Sequence, residues 1–150
     1  MAIERFRNHI EHWRVPGSAY FVTWRIHSDQ NRLSTGERPL VADTITHFAG
    51  ERYTLYAYVV MDDHVHALAM PLGEYSLSSI LHSWKSYTAN QLQRQYNRRG
   101  SIWQKDNHQR IIRDLDELMA KAEYVVGNPE KRWPGTKDYA WVEWFPDAFS

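Results

Sequence analysis

Two apolar runs separated by a pair of acids constrain this chain more than any other feature. Tyr53 to Met61 and His64 to Met70 are rich in aromatic and aliphatic residues, and Asp62-Asp63 stands between them. Such runs read as strands, and Asp is a favoured turn residue. The segment is therefore expected to be two strands joined by a tight turn. Residues two apart on a strand point to the same side, so His64 and His66 share one face and Val65 takes the other.

The flanking sequence sets what this unit packs with. Pro16-Gly17 is expected to turn the chain into a first strand, Ser18 to His27, where Tyr20, Val22, Trp24 and Ile26 alternate with smaller or polar residues. Leu40 to Phe48 has helical spacing. Ser76 offers an N-cap for a long helix running to about Arg99, closed by Gly100. Ile102-Trp103-Gln104 and His108 to Arg113 read as extended. Asp114 begins a last helix, with Glu117 placed as in a capping box, and Gly127-Asn128-Pro129 is expected to stop it after Val126. The order strand, helix, strand, strand, helix, strand predicts an α+β, ferredoxin-like antiparallel sheet with helices on one face and an added C-terminal helix.

The chain has 150 residues, enough for one domain with a core, and no repeat or linker divides it. Hydrophobic residues make up 43% and charged residues 24%, the balance of a globular protein. No apolar run approaches the roughly 20 residues of a membrane helix. The N-terminus lacks the apolar centre of a secretory signal, and there is no cysteine for a disulfide or a thiolate metal site. A cytoplasmic setting is the expectation. Net charge is zero, but residues 85–132 hold ten basic against six acidic residues. Within that stretch, Arg94, Arg98, Arg99, Lys105 and Arg110 are the candidate phosphate contacts.

Two imidazoles one strand-repeat apart can share a divalent metal. Near the end of the last helix, Tyr124 offers a phenol and Asn128 an amide oxygen four residues on, about 40° apart around a helix. Proline at 129 biases Asn128 away from helical geometry. Tyr87 and Gln91 repeat the same spacing in the long helix. Tyr87 sits between Trp84 and Leu92, where core packing explains it, and the Asn-Pro ending favours Tyr124. Asp62 and Asp63 fit a turn, and one of their carboxylates can also orient an imidazole. His108 reads as a satisfied polar strand residue rather than a metal ligand.

These segments together resemble the HUH single-tyrosine transposases, and among them the REP-associated tyrosine transposases. The resemblance runs from about His12 to Pro129. It rests on Trp13 to Arg25, on Val59-Val60-Met61-Asp62-Asp63-His64-Val65-His66, on Leu81 to Asn90, on Ile102 to Asp106 with Arg110 to Asp114, and on Tyr124 to Pro129. It implies cutting of single-stranded DNA beside imperfect hairpins, with a transient link between a 5′ phosphate and a tyrosine. By position, His64, His66 and Asn128 would hold the metal and Tyr124 would be the nucleophile. Asp63 departs from a common Asn, Asn107 from a common aromatic, and Glu130-Lys131-Arg132-Trp133 from a more apolar segment. Imidazole suits several divalent ions, and a mixed His, amide and phosphate shell admits Mg or Mn, the ion expected here.

A catalytically silent hairpin-binding module is the alternative, and all four site residues are intact. A histidine-triad phosphoesterase would need a third His at position 68, where Leu68 stands. The REP-associated branch implies a monomer acting on single-stranded or hairpin DNA, and the broader class, whose mobile members swap the tyrosine helix between protomers, leaves a dimer as the alternative.

Overall fold

The computed structural model describes residues 18–149; the Pro16-Gly17 turn lies outside them. The expected hairpin is the centre of the fold. Strand β2 (Tyr53–Val60) and strand β3 (His64–Pro71) pair antiparallel around the Asp62-Asp63 turn. On the other side, β3 pairs antiparallel with β1 (Tyr20–Arg25), and β1 pairs with β4 (His108–Ile111). A short β5 (Val142–Trp144), which has no periodic signal in the sequence, closes the far edge against β2. The order β4-β1-β3-β2-β5 is a ferredoxin-like antiparallel sheet with one strand added.

Helices lie on both faces. Helix α1 (Arg38–His47) and helix α2 (Leu77–Tyr96) cover one face, where Val22, Trp24, Val65 and Ala67 meet Val41, Ile45, Ile80, Trp84 and Leu92. Helix α3 (Leu115–Arg132) covers the other, with Leu118, Ala122 and Val125 against Ala57, Val59, Met61 and Leu68. The strand period of two thus divides β1 and β3 into an α1/α2 side and an α3 side. β2 departs from that rule once. A bulge between Leu55 and Ala57 puts Tyr56 and Ala57 together on the α3 side.

Both long helices start as the sequence predicts and end elsewhere. Ser76 caps α2 in a reciprocal bond pair with Ser79, and Asp114 caps α3 by accepting from the Glu117 N–H at 2.8 Å. Each such cap is worth about 1 kcal/mol. α2 stops at Tyr96, short of Arg99, because Asn97 turns left-handed (φ 55) and Arg98 folds back onto the loop before α1. α3 does not stop at Gly127-Asn128-Pro129 but runs on to Arg132. An interior proline costs a helix about 3 kcal/mol. Three interactions offset this: Asn128 and Pro129 are buried, the Trp133 N–H bonds the Pro129 carbonyl at 2.8 Å, and Arg132 pairs with the β2–β3 turn. Among the described residues no helix is long and apolar enough to cross a membrane.

Candidate active site

His66 is nearly enclosed, 4% exposed, on the α3 side of β3. Its Nδ1 lies 2.7 Å from the Thr23 hydroxyl, directly opposite on β1, and its ring stacks on Phe21 at 5.1 Å. Its Nε2 is buried without a hydrogen-bond partner. Burial, aided by the charges of His64, Arg25 and Lys121, pushes its pKa down to about 3, so the ring is neutral at physiological pH. If Nδ1 donates to Thr23, Nε2 keeps a free lone pair, the state a metal ligand needs.

His64 lies alongside, with ring centroids 4.7 Å apart. Its Nδ1 is 2.7 Å from Asp63 Oδ1, which makes that carboxylate the orienting group the turn pair can supply. Burial acts to raise the Asp63 pKa, but His64 and Arg132 hold it below the usual carboxylate value. Among the described residues no group of three or more His, Cys, Asp or Glu side chains is arranged to hold a metal. A third protein ligand beside the two imidazoles would be of another type. Asn128, buried on the sheet-facing side of α3, is of that type. The orphaned Nε2 of the neutral His66 ring fits a divalent ion.

The continuous α3 keeps Tyr124 and Asn128 one turn apart, as the i, i+4 spacing requires. Tyr124 is 42% exposed, and its ring stands 5.4 Å from that of His66 and 6.0 Å from Phe21. The Lys121 and Lys131 ammonium groups lie 5.7 and 5.6 Å from the Tyr124 ring centre. An open groove of about 460 Å³ runs from here to the β4 edge, lined by Phe21, Thr23, Arg25, His66, His108, Gln109, Arg110, Lys121 and Tyr124. A larger, more apolar cavity of about 610 Å³ lies between α1 and α2 on the opposite sheet face. Tyr87 borders that cavity and is 54% exposed, so it is not the core residue its neighbours suggest. The face it occupies separates it from the histidines.

Of the five candidate phosphate contacts, Arg110 alone lines the groove, where its guanidinium also pairs with Glu117. Arg94, Arg99 and Lys105 are exposed on or after α2. Arg98 is engaged in the fold. Its guanidinium bonds Glu37 at 2.5 and 2.8 Å and the Asn31 and Arg32 carbonyls at 2.8 and 3.0 Å. Residues that sequence reasoning passed over also line the groove: Phe21, Thr23, Arg25 and Lys121. Their signal was present, because Phe21, Thr23 and Arg25 share the strand face opposite Val22 and Trp24, and Lys121 lies one turn before Tyr124.

The family profile described as "Transposase IS200 like" matches residues 17–125. Among solved structures, the REP-associated tyrosine transposase bound to a REP hairpin superposes with a TM-score of 0.66 at 18% identity, covering 87% of this chain and 79% of that one. A proposed transposase from Deinococcus radiodurans R1 superposes with a TM-score of 0.57 at 16% identity, covering 78% of this chain and 94% of that one. No curated protein sequence matches. At these identities the structural likenesses speak to the fold, and the profile, spanning most of the chain, speaks to descent. This chain belongs to the IS200-like transposase family.

Proposed function

We propose that the chain is a metal-dependent endonuclease and strand transferase for single-stranded DNA, acting beside DNA hairpins through a covalent 5′-phosphotyrosine at Tyr124. The observation that carries this reading is the pairing of Tyr124, 5.4 Å from His66, with a neutral His66 whose buried Nε2 has no partner. It is supported by the likeness to a transposase bound to a REP hairpin. The all-intact set of Tyr124, His64, His66 and Asn128 favours an enzyme over a silent hairpin-binding module.

A divalent metal, Mg or Mn, held by His64, His66 and Asn128 would supply positive charge against the non-bridging oxygens of the scissile phosphate. Thr23 and Asp63 hold the two imidazoles in the tautomer and orientation that ligation needs. Lys121 and Lys131 place further positive charge beside the phenol. The Tyr124 oxygen attacks phosphorus, the bond to the 3′ oxygen breaks, and the phenolic proton ends on the released 3′ hydroxyl. One phosphodiester replaces another, so a 3′ hydroxyl can reverse the step or complete strand transfer without an energy source. The half-exposed position of Tyr124 on an open groove suits a pliable single strand. Arg110, with Arg25 and Lys121 lining the same groove, contacts the backbone near the cut, and Arg94, Arg99 and Lys105 contact it farther away.

The test is incubation with Mn and a labelled hairpin carrying a single-stranded 5′ flank, followed by denaturing electrophoresis and peptide mapping. The expected result is an adduct on Tyr124 with the flanked hairpin, none with a paired duplex, and binding that weakens with salt. Cleavage without any adduct would mean that water attacks, and the transferase reading would fall.

A further inference from the structure

The last turn of α3 carries a contact that the chemistry above does not use. Arg132 lies two turns beyond Tyr124 and one beyond Asn128 on the same helix. Its guanidinium reaches across to the β2–β3 turn, 3.1 Å from Asp62 Oδ1 and 3.4 Å from Asp63 Oδ1. Asp63 Oδ1 is also the atom 2.7 Å from His64 Nδ1. Asp62 in turn takes Arg32 at 3.0 Å, and its own backbone carbonyl accepts from the Leu33 N–H at 2.7 Å. A chain of alternating charge therefore runs from the nucleophile helix through the turn to one metal-facing imidazole. The guanidinium also lies 5.4 Å from the centre of the neighbouring Trp133 ring, which limits where it can swing.

We propose that Arg132 is a positioning residue that ties the helix bearing Tyr124 and Asn128 to the turn bearing His64, and so sets the distance between nucleophile and metal site. The inference rests on the reading of Tyr124 as nucleophile and of the histidines as metal ligands. A planar guanidinium meets two carboxylates at once, which a single ammonium point charge does less well. Without it, Asp63 loses the cation that balances it, the imidazole of His64 loses a fixed partner, and the last turn of α3 beyond Pro129 loses its anchor. Both the metal site and the approach of Tyr124 loosen together. A residue that merely stabilised the helix end would affect neither separately from stability.

The experiment compares wild type with Arg132→Ala, Arg132→Gln, Arg132→Lys, Asp62→Asn and the Asp62→Asn/Arg132→Ala double variant. Calorimetric Mn titration without DNA gives metal affinity, single-turnover adduct formation at saturating Mn gives the rate, gel shift gives hairpin affinity, and thermal melting gives stability. Arg132→Ala and Arg132→Gln are expected to weaken Mn binding about tenfold, within the range typical of groups that orient metal ligands. They should also slow adduct formation at least tenfold at saturating Mn, with hairpin affinity within about twofold. Arg132→Lys is expected to recover part of both losses, and Asp62→Asn combined with Arg132→Ala to lose less than the sum of the two. Folded variants with wild-type Mn affinity and adduct rate would overturn the proposal. So would losses that track melting temperature alone across the five variants. A wild-type protein that binds no Mn and forms no adduct would instead sink the nuclease reading itself, and this inference with it.

Discussion

Thr23 and His66 face each other across β1 and β3, with the Thr23 hydroxyl 2.7 Å from His66 Nδ1. With Nδ1 donating to that hydroxyl, Nε2 is the nitrogen left available. Thr23→Val keeps the shape and the strand preference of the side chain but removes the acceptor. It is expected to weaken Mn binding by about 10- to 100-fold, while Thr23→Ser stays near wild type. Calorimetric titration of the folded variants checks this, and an unchanged affinity in Thr23→Val would show that the hydroxyl does not set the tautomer.

Tyr124→Phe keeps a ring against Phe21 and His66 and removes only the phenolic oxygen. Adduct formation should vanish, with hairpin affinity close to wild type. Tyr87→Phe lies on the opposite sheet face and should keep activity within about tenfold, at most about 1.4 kcal/mol of barrier. Denaturing gels with labelled hairpin DNA separate the two outcomes. An adduct in Tyr124→Phe would mean that another residue attacks.

How much of this was legible beforehand depended on the range of the interaction. The hairpin and the shared face of His64 and His66 follow from a strand period of two, which tertiary packing has little freedom to change once one face is buried. The position of Tyr124 relative to Asn128 follows from helical spacing, but the continuity of that helix does not. Pro129 is a strong local stop signal, and only contacts to the distant Asp62-Asp63 turn and the sheet oppose it. Arg98 looked like a surface cation for the same reason: its partner Glu37 is 61 residues away. The bulge at Tyr56 and the three-residue β5 leave no periodic trace at all.

Arg98 and Glu37 side chains are 10% and 5% exposed, so breaking their pair strands a carboxylate away from water. Burial acts to raise the Glu37 pKa, and Arg98 with Ser34 more than reverses it. Arg98→Ala is expected to cost about 3 kcal/mol, as for removal of one partner of a buried pair. Hairpin affinity of the folded fraction should not change. Urea unfolding and gel shift at matched salt measure the two effects. A loss of DNA affinity with no loss of stability would return Arg98 to the nucleic-acid surface.

Acid should weaken the metal-free protein through His66. In the folded state this imidazole titrates near 3, against about 6.5 when unfolded. Above pH 6.5 both states are neutral and the full stability is present. As pH falls through 6.5 toward 3, the unfolded chain binds a proton that the folded site refuses, and stability is progressively lost. Between pH 7 and pH 5 this one group should remove about 2 kcal/mol. Urea midpoints in chelator at the two pH values should therefore drop less for His66→Gln than for wild type. Equal drops would place the acid sensitivity elsewhere.

Pro129 has a mechanical consequence. Lacking an N–H, it leaves the Val125 carbonyl without its usual helical donor, so one rung of α3 is missing between Tyr124 and Arg132. Val125, Asn128 and Pro129 are buried against the sheet, so packing takes over from the missing hydrogen bond in holding this stretch. The C-terminal turn is fastened to the β2–β3 turn while the segment carrying the phenol is half-exposed over an open groove. Alignment between the two halves of the helix is therefore carried by that buried stretch and by the Arg132 fastening. A phenol held through such side-chain contacts keeps its place only while they last, so the sheet and the β2–β3 turn, and not the helix alone, set where Tyr124 stands.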